Sequence, residues 1–266
     1  MAALIPKSHP SAKPDNQGKA PIAMLNLILS LAVGLAVTLG VRLAHFPWLA
    51  GVIPGTIAFL ATFVLLGRRI SVKVQAISAE AQKELSAQPA NAREQKARVD
   101  KAIKILEGAL VYGPWQFLVG SEIHAQIGMI RYMVKDHDGA QQHFAQANPR
   151  NYIAQAMQGA LHFQRKAYPQ MEQCFEAAVK SGKKESLVWA VYAWCLLQMK
   201  EKDKALRVLA RAVEINPSDE KLKASLSSLQ NDKKLKMKPY EPMWWQFGLE
   251  NPPLQTQGRQ VRFQRR

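Results

Sequence analysis

The sequence predicts an all-α protein: an N-terminal transmembrane helical hairpin followed by a short stack of helical hairpins, a C-terminal capping helix and an extended tail. Three observations predict it. Residues 20–41 and 46–67 are two uncharged, strongly apolar stretches of 22 residues each. A pattern of small and large residues recurs at Gly128, Ala140, Phe144, Ala147, at Gly159, Met171, Phe175, Ala178, and at Ala193, Ala205, Leu209, Ala212, each set with offsets of 12, 16 and 19. No convincing strand pattern competes with the helical periodicity.

The chain of 266 residues carries a formal charge of +16, unevenly spread. Residues 1–74 hold seven Lys or Arg against one acid, residues 75–232 hold 21 against 17, and residues 233–266 hold eight against two. Basicity on both flanks suits a membrane surface better than a dedicated nucleic-acid face. Residues 1–19 read as a basic, disordered N-terminus.

Each apolar stretch is long enough to cross a hydrocarbon core of about 30 Å at about 1.5 Å per residue. A secretory signal peptide is the competing reading of the first, but its apolar region is too long and a second span follows almost at once. The connection at residues 42–45 holds no domain, so both ends of the protein are expected on one side. Lys7, Lys13 and Lys19 precede the hairpin and Arg68, Arg69 and Lys73 follow it, against Arg42 alone in the turn. The positive-inside rule then places both termini in the cytoplasm, and a bacterial inner membrane is the expected location. Ser30 with Gly34 and Gly51 with Gly55 are small-xxx-small steps. They permit close helix approach, either within the hairpin or between hairpins of an oligomer. Pro54 is placed to kink the second span and Trp48 to sit at an interface. Neither span carries an ionisable residue, which argues against transport.

Residues 68–90 read as a juxtamembrane helix and linker, with Val74, Ile77 and Ala81 on one face. Pro89 and Asn91 interrupt it, and a helix from about Arg93 to Tyr112 carries Ala102, Leu106 and Ala109 in the second-helix half of the pattern. The opening unit of the domain at residues 91–231 is thus a diverged hairpin, as expected where one face has no repeat to stack on. His137, Asp138 and Gly139 lie at a turn, with Asp138 expected as N-cap; Ser218 is the expected N-cap of a final amphipathic helix.

The last repeat, Trp189, Tyr192, Ala193, Leu196, Ala205, Leu209, Ala212 and Pro217, resembles the tetratricopeptide consensus in order and spacing. The middle repeat keeps Gly159, Phe175 and Ala178 but has Lys183 for the closing proline, and the one before shortens its exit at Asn148 and Pro149. The resemblance covers about half of the chain. It implies a short α-α superhelix, with a partner-binding groove at Met129, Tyr132, Met133, Ile153, Phe163, Leu187, Trp194 and Leu197, and with Glu122, Gln164 and Gln198 beside them. Family members that hold acidic peptide termini carry Lys, Arg and Asn at such positions. This groove is apolar instead, and suits an amphipathic helix or an aromatic-rich segment.

The tail, residues 232–266, opens on a basic run and continues with Tyr240, Met243, Trp244, Trp245 and Phe247 before Arg259, Arg262, Arg265 and Arg266. Prolines 239, 242, 252 and 253 oppose a long helix, yet the aromatic residues are too apolar for a solvated tail. Three expectations stand: the segment folds back on the repeats, docks another protein, or rests in a membrane interface with its basic residues on anionic lipid.

No HExxH, CxxC or phosphate-loop pattern is present among the six histidines, two cysteines and the glycines. No catalytic residue, metal site or cofactor is expected. Cys174 and Cys195 fall inside repeat helices, where a packing role suffices. The expected function is a membrane-anchored adaptor that gathers protein partners, with a chaperone-like assembly factor for membrane or envelope proteins as the alternative. Nucleic-acid tethering by the basic tail is the weakest reading, since a few arginines give salt-sensitive attachment without specificity.

Overall fold

The computed structural model describes residues 24–251. The expected N-terminal segment, the start of the first span and the four terminal arginines lie outside these residues. Ten α-helices and no strand occur among the described residues. They divide into two compact units. One holds residues 24–71 with Pro114–Phe117, and the other holds Val72–Gly113 with the residues from Leu118 onward.

In the first unit α1 (Leu25–Leu43) and the first part of α2 (Trp48–Ser86) are long and apolar enough to cross a membrane. Ile28, Leu31, Leu35, Ile53, Ile57 and Val64 are more than half exposed, whereas the core helix of a water-soluble fold hides such side chains. Polar and small residues fill the seam between the helices. Asn26 and Ser30 are buried there, and Asn26 Nδ2 donates to the carbonyl of Phe63 at 3.2 Å. A methyl at Gly34 would lie 2.8 Å from the Gly55 carbonyl oxygen, and one at Gly51 would lie 2.9 Å from that of Thr38. These glycines are therefore used inside the hairpin, where only a hydrogen lets the two backbones meet.

The second helix does not stop where its charges begin: α2 runs without a break to Ser86, with Pro54 inside it. The expected juxtamembrane helix is the continuation of α2, and residues 68–86 contain neither glycine nor proline to end it.

In the second unit Val74, Ile77, Ala81 and Leu85 of α2 pack with α3 (Ala92–Ala109) and α4 (Val119–Met133) around Ala102, Leu106, Ile123 and Ile127. Helix α3 ends three residues earlier than expected, and Leu110–Tyr112 tightens into a 3-10 turn. Helix pairs then follow: α4 with α5 (His137–Phe144), α6 (Tyr152–Gln164) with α7 (Tyr168–Ser181), and α8 (Ser186–Gln198) with α9 (Lys202–Ile215). Helix α10 (Glu220–Gln230) closes on α9 and α8. The recurring residues lie at the crossings. Methyl groups at Gly128 and Gly159 would lie 2.8 and 2.9 Å from the rings of Phe144 and Phe175, and Ala140, Met171, Ala178, Ala193, Ala205, Leu209 and Ala212 are fully buried.

Two caps differ from expectation. Asp136, not Asp138, caps α5 by accepting from Gly139 N at 3.0 Å, and Asp219, not Ser218, caps α10 by accepting from Leu222 N at 3.1 Å. In each case the capping carboxylate stands two or three residues before the amides it accepts from, and Asp138 already lies in the first turn of α5.

Each pair also turns on a feature the sequence hides. Lys135, Lys166 and Lys200 follow α4, α6 and α8 at the spacing of the repeats, and all three adopt left-handed backbone conformations, with φ of 64°, 59° and 65°. The amide after each bonds five residues back, Asp136 to Arg131, Ala167 to His162 and Glu201 to Leu196, which is the Schellman closure ordinarily made by glycine. All three lysines are exposed. Lys166→Gly is therefore expected to stabilise the domain by about 0.5–1 kcal/mol, since the left-handed conformation costs a non-glycine residue about 1–2 kcal/mol and glycine's added freedom in the unfolded chain takes back about 0.4–1 kcal/mol. A lower urea midpoint for this variant would contradict the reading.

Candidate functional site

The first helices of the pairs bring Tyr132 at the end of α4, Phe163 and Gln164 at the end of α6, and Trp194 and Leu197 near the end of α8 to one face. Tyr132, Phe163 and Leu197 each stand four residues after the small residue of their repeat, Gly128, Gly159 or Ala193, so the repeat itself aligns them. The tail lies on this face. After an exposed connection at residues 231–234, Met237 is buried, Lys238–Tyr240 and Met243–Phe247 form two 3-10 turns, and Trp244 and Phe247 are buried to 1 % and 3 % exposure.

The contacts are specific. Trp194 meets Trp244 edge-on with ring centres 5.2 Å apart, and Phe163 meets Trp194 edge-on at 5.9 Å, the arrangement that aromatic quadrupoles favour. The Tyr132 hydroxyl donates to the Phe247 carbonyl at 2.5 Å, and Gln164 Nε2 donates to the Gly248 carbonyl at 3.2 Å and to the Tyr132 hydroxyl at 3.2 Å. Trp244 Nε1 donates to Glu250 at 3.2 Å, and the hydroxyls of Ser225 and Tyr240 pair at 3.0 Å. Main-chain oxygens are thus held by side chains of α4 and α6, while α8 supplies the apolar wall. Burial raises the Tyr132 hydroxyl well above its ordinary pKa, so it remains a donor.

The expected site residues are not all brought together. Tyr132, Gln164 and Trp194 meet the tail, and Phe163 packs against Trp194. Met129, Ile153, Leu187 and Leu197 are partly buried against the same core, whereas Met133 is 51 % exposed. On the tail Trp244 and Phe247 are inserted, Tyr240 is buried against α10, Trp245 is half-buried, and Met243 is 44 % exposed. The buried pair is covered by the repeats, so it is not free to enter a headgroup layer in this conformation. Ser225 and Glu250 were not legible as site residues, because each acts through one tertiary hydrogen bond that leaves no periodic trace.

A second cluster lies between α4 and α5. His124 Nδ1 and His143 Nδ1 approach to 3.0 Å, with Arg131 and Asp136 nearby. Desolvation, then the charges of His124 and Arg131, pull His143 down to about 4, and desolvation lowers His124 as well. Arg131 bonds Asp136 at 2.7 Å, which with the Gly139 amide holds that carboxyl below its usual range. Between the unfolded value of about 6.5 and about 4 the unfolded chain binds more protons at His143 than the folded one, so stability falls as the solution is acidified through that window. Asp136 adds loss in the same direction only as pH falls through the carboxylate range. His143→Gln is expected to flatten the slope of stability between pH 6.5 and 4; an unchanged slope would contradict the assignment.

Burial pushes the Cys174 thiol up to about 11 and that of Cys195 further. Compared with protein-family models, with curated proteins and with solved structures, the chain matches none.

Proposed function

We propose that the protein is a membrane-anchored adaptor, in which α1 and the first part of α2 span the membrane with both termini cytoplasmic, and a short tetratricopeptide-like superhelix binds partner segments. One observation carries this reading: the face of Tyr132, Gln164 and Trp194 holds an aromatic segment by its main-chain carbonyls and its rings together. Such a face recognises a proline-broken, aromatic segment folded into short turns, without demanding an α-helix, because the backbone oxygens supply affinity and the rings supply selectivity. The tail occupies it in the free protein. A partner segment of like chemistry then binds by displacing the tail, so partner affinity is reduced by the stability of the tail contact. The role is one of binding and not of catalysis.

The experiment is photo-crosslinking in native membranes from a reactive side chain placed at Leu197, at the edge of the face. A stoichiometric partner, lost in Trp194→Ala with the helical content retained, is the expected result. Crosslinks only to the chain's own tail, in every condition tested, would count against the adaptor reading.

A further inference from the structure

The segment Pro114–Phe117 groups with the two apolar helices, and its chemistry is that of a membrane-interface anchor. Its backbone caps α1: Leu25 N donates to the Pro114 carbonyl at 3.1 Å and Asn26 N to the Trp115 carbonyl at 3.2 Å, satisfying two of the amides that a helix start leaves open. On α2, Gln116 lies beside Gly67, and its Oε1 is 3.4 Å from the Ser71 hydroxyl. The level of these contacts along the helices is fixed by length. Helix α1 has 19 residues, about 28 Å, so all of it is needed to cross a hydrocarbon core of about 30 Å. Leu25 therefore stands at the core's edge. The apolar run of α2 likewise ends at Gly67, and Arg68 and Arg69 follow, both exposed. At that edge Trp115 and Phe117 are 36 % and 49 % exposed.

We propose that Trp115 and Phe117 seat in the headgroup boundary of a leaflet carrying anionic lipid, with Arg68 and Arg69 on its phosphates. The inference rests on the reading that α1 and α2 span a membrane. Indole prefers that boundary because its ring is apolar and its N–H is polar, and basic residues at a span's end are drawn to anionic headgroups.

The test uses the full-length protein in phosphatidylcholine–phosphatidylglycerol vesicles. The emission of Trp115 is taken as the difference between wild type and Trp115→Phe, and Phe117→Trp supplies a second reporter should the first variant misfold. Leu35→Trp, in the middle of α1, reports spanning independently. Both interface reporters, Trp115 and the indole introduced by Phe117→Trp, are expected to lose most of their emission to lipid brominated near the headgroup, with little quenching by acrylamide. If Leu35→Trp is quenched by lipid brominated deep in the chain while the other two respond only to acrylamide, the anchor is overturned and the spans stand. If Leu35→Trp is also untouched by bromine, the spanning reading falls and takes the anchor with it.

Discussion

Replacing Trp244 by alanine is expected to release the tail. Trp244 is 1 % exposed, packs edge-on against Trp194 and bonds Glu250 through its indole nitrogen. Truncating a fully buried Trp costs about 3–5 kcal/mol, through lost burial and the cavity left behind. The tail joins α10 through exposed residues, and its hold on the helices rests on this ring, on Met237, Tyr240 and Phe247, and on a few hydrogen bonds. The loss therefore falls on a local equilibrium rather than on the domain as a whole. Amide exchange across residues 237–249 should become fast while α6 to α9 keep their protection. Trp245→Ala, at a half-buried position, should move the same amides much less. Unchanged protection of the tail in Trp244→Ala would show that the ring is not its anchor.

Phe175→Ala is expected to lower the stability of the whole repeat domain by about 3–5 kcal/mol, read as a drop in urea midpoint. Its ring is fully buried, lies against Gly159 of α6 and stacks on Tyr192 of α8 with centres 5.2 Å apart and planes 8° from parallel. One side chain thus joins two successive pairs, and each pair has no closed core of its own. The neighbouring glycine gives a sharper test of the same packing. Gly159→Ala would set a methyl 2.9 Å from the Phe175 ring, and overpacking of this kind costs about 1–3 kcal/mol, more than the gain of about 1 kcal/mol from alanine's helix preference. With Phe175→Ala already made, the clash is gone and Gly159→Ala should become stabilising. The same sign in both backgrounds would contradict this picture of the crossing.

Much of this architecture was legible because helices write their packing into the sequence at fixed intervals. Gly128, Gly159 and Ala193 with their large partners located the crossings, and two uncharged stretches located helices able to cross a membrane. What escaped were features without periodicity. Arg68 and Arg69 mark an end of apolar character, not an end of helix, so the unbroken run of α2 to Ser86 had no sign beyond missing breakers. Lys135, Lys166 and Lys200 occupy a conformation that glycine would have announced. The capping of α1 by Pro114 and Trp115 uses backbone atoms far apart in the chain, which no side-chain pattern records. The tail was recognisable as a segment needing cover, but the choice among repeats, partner and membrane depends on Tyr132, Gln164 and Trp194 being aligned in space.

The aligned face of Tyr132, Gln164 and Trp194 is proposed as a receptor for an aromatic segment folded into short turns. The most direct measurement is titration of a chain ending at Gln230, checked for helical content, with a peptide spanning residues 236–250. Saturable binding at one peptide per chain is expected, weakened at least about tenfold by Trp194→Ala, a loss of about 1.4 kcal/mol. A chain that remains folded yet shows no binding, or binds equally well without Trp194, would contradict it.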